Sequence, residues 1–173
     1  MPDREPIETT NLDTIYGSQP IPWSRPRDLL EGGALSSAGS CFLGTVRPDG
    51  RPHAAGVGGA WYDGDLYFQT GPDTRKGRNV AANPACTMST SLPGIDLVFE
   101  GDAEFVVDTP TLEAIAAIYR EGGWPVQVEG DAFTAPYSAP SAGPPPWHLF
   151  RLTPHTVFGV ATAEPHGATR WRF

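Results

Sequence analysis

Residues 53–84, HAAGVGGAWYDGDLYFQTGPDTRKGRNVAANP, hold two apolar runs, a tight turn and a short helical segment in direct succession. The runs 53–62 and 65–70 are predicted to be strands, and Asp63-Gly64 between them is a strong two-residue hairpin signal. Asp73 or Thr74 is expected to cap a helix that ends before Pro84. The stretch therefore predicts a β-hairpin that leads directly into a short helix.

Similar strand signals continue on both sides of this hairpin. Further strands are predicted at residues 40–47, 86–92, 96–107, 147–152 and 157–161, and residues 169–173 are a candidate for one more. Six or seven antiparallel strands with no alternation of strand and helix are typical of a closed or partly closed barrel. The sequence thus predicts a mainly β domain with a few short helices.

Helices are few in the predicted fold. The best one begins at Thr109-Pro110, where apolar residues recur on one helical face at Leu112, Ile115, Ala116 and Tyr119. A shorter helix is predicted at residues 25–32. Residues 1–34 are expected to form a loosely ordered arm with a short helix and Trp23 as an anchor, and residues 35–173 to form one barrel domain.

The composition excludes several classes of function. The chain has 173 residues, a formal net charge of -8 and a sequence pI of about 4.8, which argues against broad nucleic-acid binding. No apolar run approaches the ~20 residues of a membrane span, and the first residues lack an apolar signal core. Cys41 and Cys86 are expected to be core residues in a reducing cytoplasm, with a disulfide or a reactive thiol as the alternative.

Basic residues at the start of the predicted helix run against this acidic composition. Arg75, Arg78 and Lys76, the only lysine of the chain, fall where helix N–H groups already carry partial positive charge. Cations there repel the helix dipole unless an anion lies among them, so we interpret the segment as a phosphate-binding site. The alternative is a solvated basic turn that pairs with nearby carboxylates.

Other candidates are weaker. Glycines at 56, 58 and 59 inside a strand indicate either barrel curvature or a ligand against the backbone. Gln69 and Thr70 either bind a ligand's heterocycle or only finish a strand edge. Trp124, Tyr137 and Trp147 flank a Pro-rich loop at residues 135–146, either as a lid over a flat ligand or as core anchors. No acid–base pair and no metal-ligand spacing stands out; His53 is expected to be structural rather than a catalytic base.

The segments 42–57, 66–70 and 74–84 carry a family resemblance, with the pattern Thr74-Arg-Lys-Gly-Arg-Asn79 followed by Asn83-Pro84. This resembles the pyridoxamine-phosphate-oxidase-like, FMN-binding split-barrel superfamily, and within it the flavin- and deazaflavin-dependent oxidoreductases of actinobacteria. The resemblance covers residues 38–108 best. It implies a six-stranded antiparallel split β-barrel that forms a homodimer with cofactor sites at the interface.

The resemblance also implies which residues contact the cofactor. Thr74, Arg75 and Lys76 would hold its phosphate, and Asn79 completes the same motif. Residues along the flavin ring would be Ala55, Gly56, Val57 and Gly58. Gln69 and Thr70 would lie near the ring or the ribityl chain. The N-terminal arm and the loop 135–146 depart from the short pyridoxamine-phosphate oxidases.

The function that follows is an oxidoreductase that uses bound F-420 or FMN to transfer a hydride to or from a small conjugated organic substrate. For the longer tail of F-420, Arg25, Arg51 and Arg78 are candidate cations. One alternative is a flavin- or haem-binding carrier of the same fold that catalyses nothing. The other is pyridoxamine 5'-phosphate oxidase itself.

Overall fold

The computed structural model describes residues 4–37 and 41–173. These residues form a 3-10 helix at Thr14–Tyr16 and four α-helices: α1 Ser24–Glu31, α2 Ala34–Ser37, α3 Arg75–Ala82 and α4 Thr109–Glu121. The strands are β1 Glu8–Asn11, β2 Cys41–Val46, β3 Pro52–Val57, β4 Gly59–Tyr62, β5 Asp65–Thr70, β6 Ala85–Leu92, β7 Ile95–Val106, β8 Gln127–Glu129, β9 Ala132–Thr134, β10 His148–Ala161 and β11 Ala168–Arg172. The mainly β, antiparallel fold class is confirmed.

One sheet contains nine of the strands, in the order β1-β11-β10-β7-β6-β2-β3, with β5 paired to β10 and β4 paired to β5. The fourteen-residue β10 makes this possible, because its first half pairs with both β5 and β7. The sheet therefore curls towards closure, but among the described residues β3 pairs only with β2. The opening between β3 and the β4–β5 hairpin leaves the barrel partly closed.

Among the described residues the strands differ from the six of the expected barrel in three ways, of which two add a strand and one removes a strand. The run 53–62 is one strand in the sequence but divides at Gly58 into β3, which pairs with β2, and β4, which pairs with β5. The arm contributes β1, which pairs with β11, so the expected loose order is wrong for residues 8–11. Conversely, the expected strands 147–152 and 157–161 are one strand, β10, with an irregularity between Pro154 and Thr156.

Helix predictions hold well. Residues 24–31 form α1, and Trp23 anchors the arm because its ring lies 5.4 Å from that of Trp171 and 4.9 Å from that of Phe173. The apolar face of α4 is buried as expected. Residue 40, the expected start of β2, lies outside the described residues. No helix within the described ranges is long and apolar enough to cross a membrane.

Two apolar cores hold these elements together. The larger fills the barrel around residues such as Leu43, Phe68 and Phe99. The smaller lies between α4, β9 and the end of the loop 135–146, with Phe133 and Trp147 at its centre. Cys41 and Cys86 are buried free thiols, as expected for core residues.

Candidate functional site

The start of α3 is built by a compact set of hydroxyl and backbone hydrogen bonds. Thr74 is the N-cap: its Oγ1 accepts from the Gly77 amide at 3.1 Å and donates to the Gly71 carbonyl at 2.8 Å. The Thr70 hydroxyl lies 2.7 Å from the same Oγ1. A Cβ on Gly77 would lie 2.4 Å from the Gly71 carbonyl oxygen, so the helix can pack this closely on the end of β5 only with glycine there.

The three cations of α3 divide between two environments. Arg75 and Arg78 are exposed, and Arg78 donates to the Asp73 carbonyl. Lys76 is only 4% exposed, and its Nζ donates to the Ser141 carbonyl in the loop 135–146. Burial lowers the pKa of Lys76. The ammonium group is therefore a poorly solvated cation, and its one hydrogen-bond acceptor within residues 4–37 and 41–173 is neutral.

Asn79 connects α3 to the neighbouring strands. It is 2% exposed, and its Nδ2 donates to Thr45 Oγ1 on β2 at 2.9 Å. Thr45 in turn lies opposite His53 in the β2–β3 register, with its hydroxyl 3.4 Å from the His53 carbonyl. Asn79 thus holds the helix against the β2–β3 hairpin rather than pointing into an open space.

Two further basic groups, His53 and Arg47, lie at this site. Neither was predicted from the sequence to bind the phosphate. Burial lowers the pKa of His53, and so do the charges of Arg47, Arg75 and Lys76. These four basic groups therefore lie near one another in an acidic protein. The position of Arg47 could have been predicted from the β2–β3 hairpin, because antiparallel pairing brings the end of β2 beside the start of β3 and therefore beside His53.

The glycine-containing segment forms a corner between two sheet partners. Gly58 lies between β3 and β4, and its carbonyl accepts a hydrogen bond from the Tyr119 hydroxyl of α4 at 3.1 Å. An added Cβ at Gly58 would lie 3.7 Å from Gln69 Nε2, whereas one at Gly56 would meet no heavy atom within 4 Å. The outer face of β3 is therefore open at Gly56, two residues before the corner.

The predicted ring-contacting residues do not share one face. Ala55 and Val57 lie opposite the buried Leu43 and Cys41, whereas Gly56 lies opposite the exposed Phe42. One ligand can therefore contact all four of residues 55–58 only through their backbone groups, along the edge of β3.

Besides Tyr119, the polar side chain of Gln69 lies next to the corner. It is 8% exposed, and its Nε2 lies 3.7 Å from the position that a Cβ on Gly58 would occupy. Thr70 is fully buried and belongs to the start of α3. A side-chain amide in this position, next to an open strand edge, is suited to bind a polar heterocycle.

Several candidates from the sequence lie elsewhere. The guanidinium of Arg25 donates to the carbonyls of Gly94, Ala163 and Pro165. Gly94 follows the far end of β6, an eight-residue strand that places it roughly 25 Å from α3. Arg25 is therefore excluded as a cation of this site, whereas Arg51 lies at the β2–β3 turn beside Arg47.

Of the aromatic residues around the Pro-rich loop, Trp124 and Trp147 act as core anchors, whereas Tyr137 is 42% exposed. Trp147 is fully buried, and its ring lies 5.3 Å from Trp124 and 6.4 Å from Tyr137. Its Nε1 donates to the Gly143 carbonyl at 3.0 Å. Of the two interpretations of this aromatic group, the structure favours anchoring.

Together these groups can hold an anion at the start of α3 and a flat polar group along the edge of β3. Residues 33–161 match the family model described as pyridoxamine 5'-phosphate oxidase. No curated protein matches the sequence.

Solved structures share the fold. General Stress Protein 26 from Bacillus anthracis str. Sterne is 17% identical, with a TM-score of 0.56, over 84% of this chain and 97% of that one. A pyridoxamine 5'-phosphate oxidase-related, FMN binding protein from Nostoc punctiforme PCC 73102 is 20% identical, with a TM-score of 0.57, over 87% and 90%. An F420 reductase is 24% identical, with a TM-score of 0.50, over 72% and 92%. At such identities the likeness establishes the fold alone.

Proposed function

This chain belongs to the pyridoxamine 5'-phosphate oxidase family, and on that premise we propose that it is an oxidoreductase with a bound flavin-type cofactor, FMN or F-420. The observation that carries the proposal is the buried Lys76, whose ammonium group pairs, among the described residues, only with a neutral carbonyl and lies beside Arg47, His53 and Arg75. A cofactor phosphate would supply the missing negative charge. Both cofactors carry a phosphate on a ribityl chain, so the site suits either.

The phosphate would be held at the start of α3. Lys76 and Arg75 supply positive charge, and Thr74 fixes the helix start on which both depend. Asn79 acts one step further back, because its bond to Thr45 holds α3 against β2. Arg47 and Arg51, at the β2–β3 turn, and the exposed Arg78 are the cations available to a longer anionic tail.

The ring would lie along the edge of β3 and the corner at Gly58. Backbone groups of residues 55–58 would face its polar side, and Gln69 would donate to or accept from it. The bound ring supplies the hydride chemistry, while the protein orients the ring and excludes water. Because the ring would carry the chemistry, the protein needs no side-chain acid–base pair, and none stands out among the described residues. The proposed substrate is a small conjugated organic molecule.

The protein is proposed to act as a homodimer through the outer face of its large sheet. A row of neighbouring residues on this face runs from Gly56 through Phe42, Ser89 and Val98 to Phe158. Phe42 is 56% exposed, unusual for a phenylalanine on a regular strand of a monomer. Because the row begins on β3, a second copy seated here would lie beside the proposed ring site.

A parallel titration tests the proposal. The purified protein is titrated with FMN and with F-420 at one ionic strength, and binding is followed by cofactor fluorescence. We expect one of them to bind with one equivalent per chain, and the reduced loaded protein to be reoxidised by a conjugated organic acceptor. Binding of neither cofactor refutes the proposal. Tight binding without reoxidation by any acceptor supports the alternative of a non-catalytic carrier.

A cytoplasmic setting is part of the same proposal. Both cysteines remain thiols in the core, and burial raises the pKa of Cys86 to about 12, so it stays protonated and inert.

A further inference from the structure

The turn at residues 139–143, which we name the strap, lies directly against the proposed phosphate site. It closes on itself, since the amides of Ala139 and Gly143 bond to the carbonyls of Gly143 and Ala139 at 2.9 and 2.8 Å. Its Ala142 carbonyl accepts from the Gly71 amide at 3.1 Å, and its Ser141 carbonyl accepts from Lys76 Nζ. The strap thus contacts both Gly71, directly after β5, and the buried cation within α3.

The approach at Gly71 is close enough to require glycine. A Cβ there would lie 2.3 Å from the Ala142 carbonyl oxygen, and backbone oxygen cannot be pushed aside without moving the turn. The approach accompanies the hydrogen bond that the Gly71 amide donates to the Ala142 carbonyl, so a side chain at residue 71 and the closed strap exclude each other.

The strap covers the group that an anion has to reach. Lys76 is 4% exposed with the strap in place, so a phosphate oxygen cannot approach the ammonium freely. An ammonium group has three donors, and the Ser141 carbonyl uses one of them. Because burial penalises the charged form and the acceptor is neutral, a phosphate would be the better partner.

Displacing the strap also costs little hydrophobic free energy. Its apolar anchors are methyl groups, with Ala142 buried and Ala139 partly buried in the smaller core. Methyl groups bury little apolar surface, so little hydrophobic stabilisation is lost when they leave. The heavier anchor, Trp147, follows the strap and remains packed against Phe133 through two backbone hydrogen bonds.

We propose that the strap is an internal competitor for the cofactor: the Ser141 carbonyl holds Lys76 in the free protein, and an entering phosphate displaces it. This inference rests on the proposed function and adds a regulatory contact to the same site. The observed cofactor affinity is then the intrinsic affinity multiplied by the fraction of free molecules in which the strap is open.

Amide hydrogen exchange of the wild-type protein tests it, with saturating FMN, or F-420 if that is the ligand that binds. The Gly71 amide, which bonds across to the strap, is expected to exchange at least fivefold faster when the cofactor is bound. The Gly143 amide, whose bond lies inside the turn, is the internal control and is expected to change less than twofold. Slower or unchanged exchange at Gly71 overturns the strap proposal.

The two proposals fail in distinguishable ways. Binding without faster Gly71 exchange removes the strap and leaves the cofactor site, whereas the absence of binding by either cofactor removes both. A variant provides a second measurement: Gly71→Ala forces the Ala142 carbonyl away and is expected to raise cofactor affinity about threefold to tenfold. A weaker or equal affinity in a folded Gly71→Ala protein contradicts the competition.

Discussion

Replacing Lys76 by methionine is expected to weaken FMN binding by roughly 10- to 150-fold, which corresponds to a lost charged hydrogen bond of about 1.5–3 kcal/mol. The lower end is favoured, because in the free protein the Ser141 carbonyl already satisfies part of the ammonium. Methionine keeps most of the volume of the buried stem, so the change removes charge rather than packing. The measurement is a fluorescence titration with FMN at fixed ionic strength.

Arg78→Met is the matched control, since it removes the same charge from the exposed side of the same helix. An exposed charge is screened by salt, so FMN affinity is expected to change by less than about threefold. If both variants bind FMN as the wild type does, or if both weaken equally, the assignment of Lys76 to the phosphate is wrong.

The same variant carries a prediction about stability. Burial lowers the pKa of Lys76, so between that lowered value and 10.5 the unfolded chain binds more protons than the folded one. Stability due to this group therefore rises with pH through that window, and at neutral pH the charged form is a cost. We expect the thermal midpoint of cofactor-free Lys76→Met to equal or exceed that of the wild type; a clear fall together with unchanged affinity would make Lys76 a structural residue.

Three further outcomes are expected. Gly56→Leu should weaken FMN binding at least tenfold with little change in thermal midpoint, because its side chain enters open space beside β3; Ala54→Leu, on the same face two residues earlier, should not. His53→Asn should reduce the loss of unfolding free energy that the wild type shows below pH 6.5. The pKa of His53 is lowered in the folded protein, so wild-type stability falls as the pH drops from 6.5 to that lowered value. Phe42→Asp should convert a dimer to a monomer in analytical ultracentrifugation, whereas Tyr62→Asp, at an exposed aromatic of β4, should not.

Each of these has a clear contrary result. Equal loss of affinity in the Gly56 and Ala54 variants would show that the whole strand face, not the corner, governs binding. An identical pH dependence in wild type and His53→Asn would mean that His53 does not titrate near the cations. A wild-type protein that sediments as a monomer would remove the proposed interface.

Local signals were sufficient for much of this fold. The Asp63-Gly64 turn, the Thr74 cap and the end of α3 before Pro84 depend on residues within a few positions of one another, and all three are present. The apolar face of α4 is likewise a matter of 3.6-residue spacing. The prediction of one continuous strand over residues 53–62 was wrong. No local signal shows whether the residues on either side of Gly58 pair with the same neighbouring strand or with different ones.

The sequence by itself determined that this is an antiparallel β protein with a basic helix start in an acidic chain, because hairpin turns, caps and charge are properties of adjacent residues. Only the tertiary structure decided that Lys76 is buried while Arg75 and Arg78 are exposed, and that His53 and Arg47 join them. It alone placed the Ser141 carbonyl on Lys76, a contact between residues 65 positions apart. The physical reason is that burial and long-range pairing depend on how the sheet curls, which no short segment of the chain encodes.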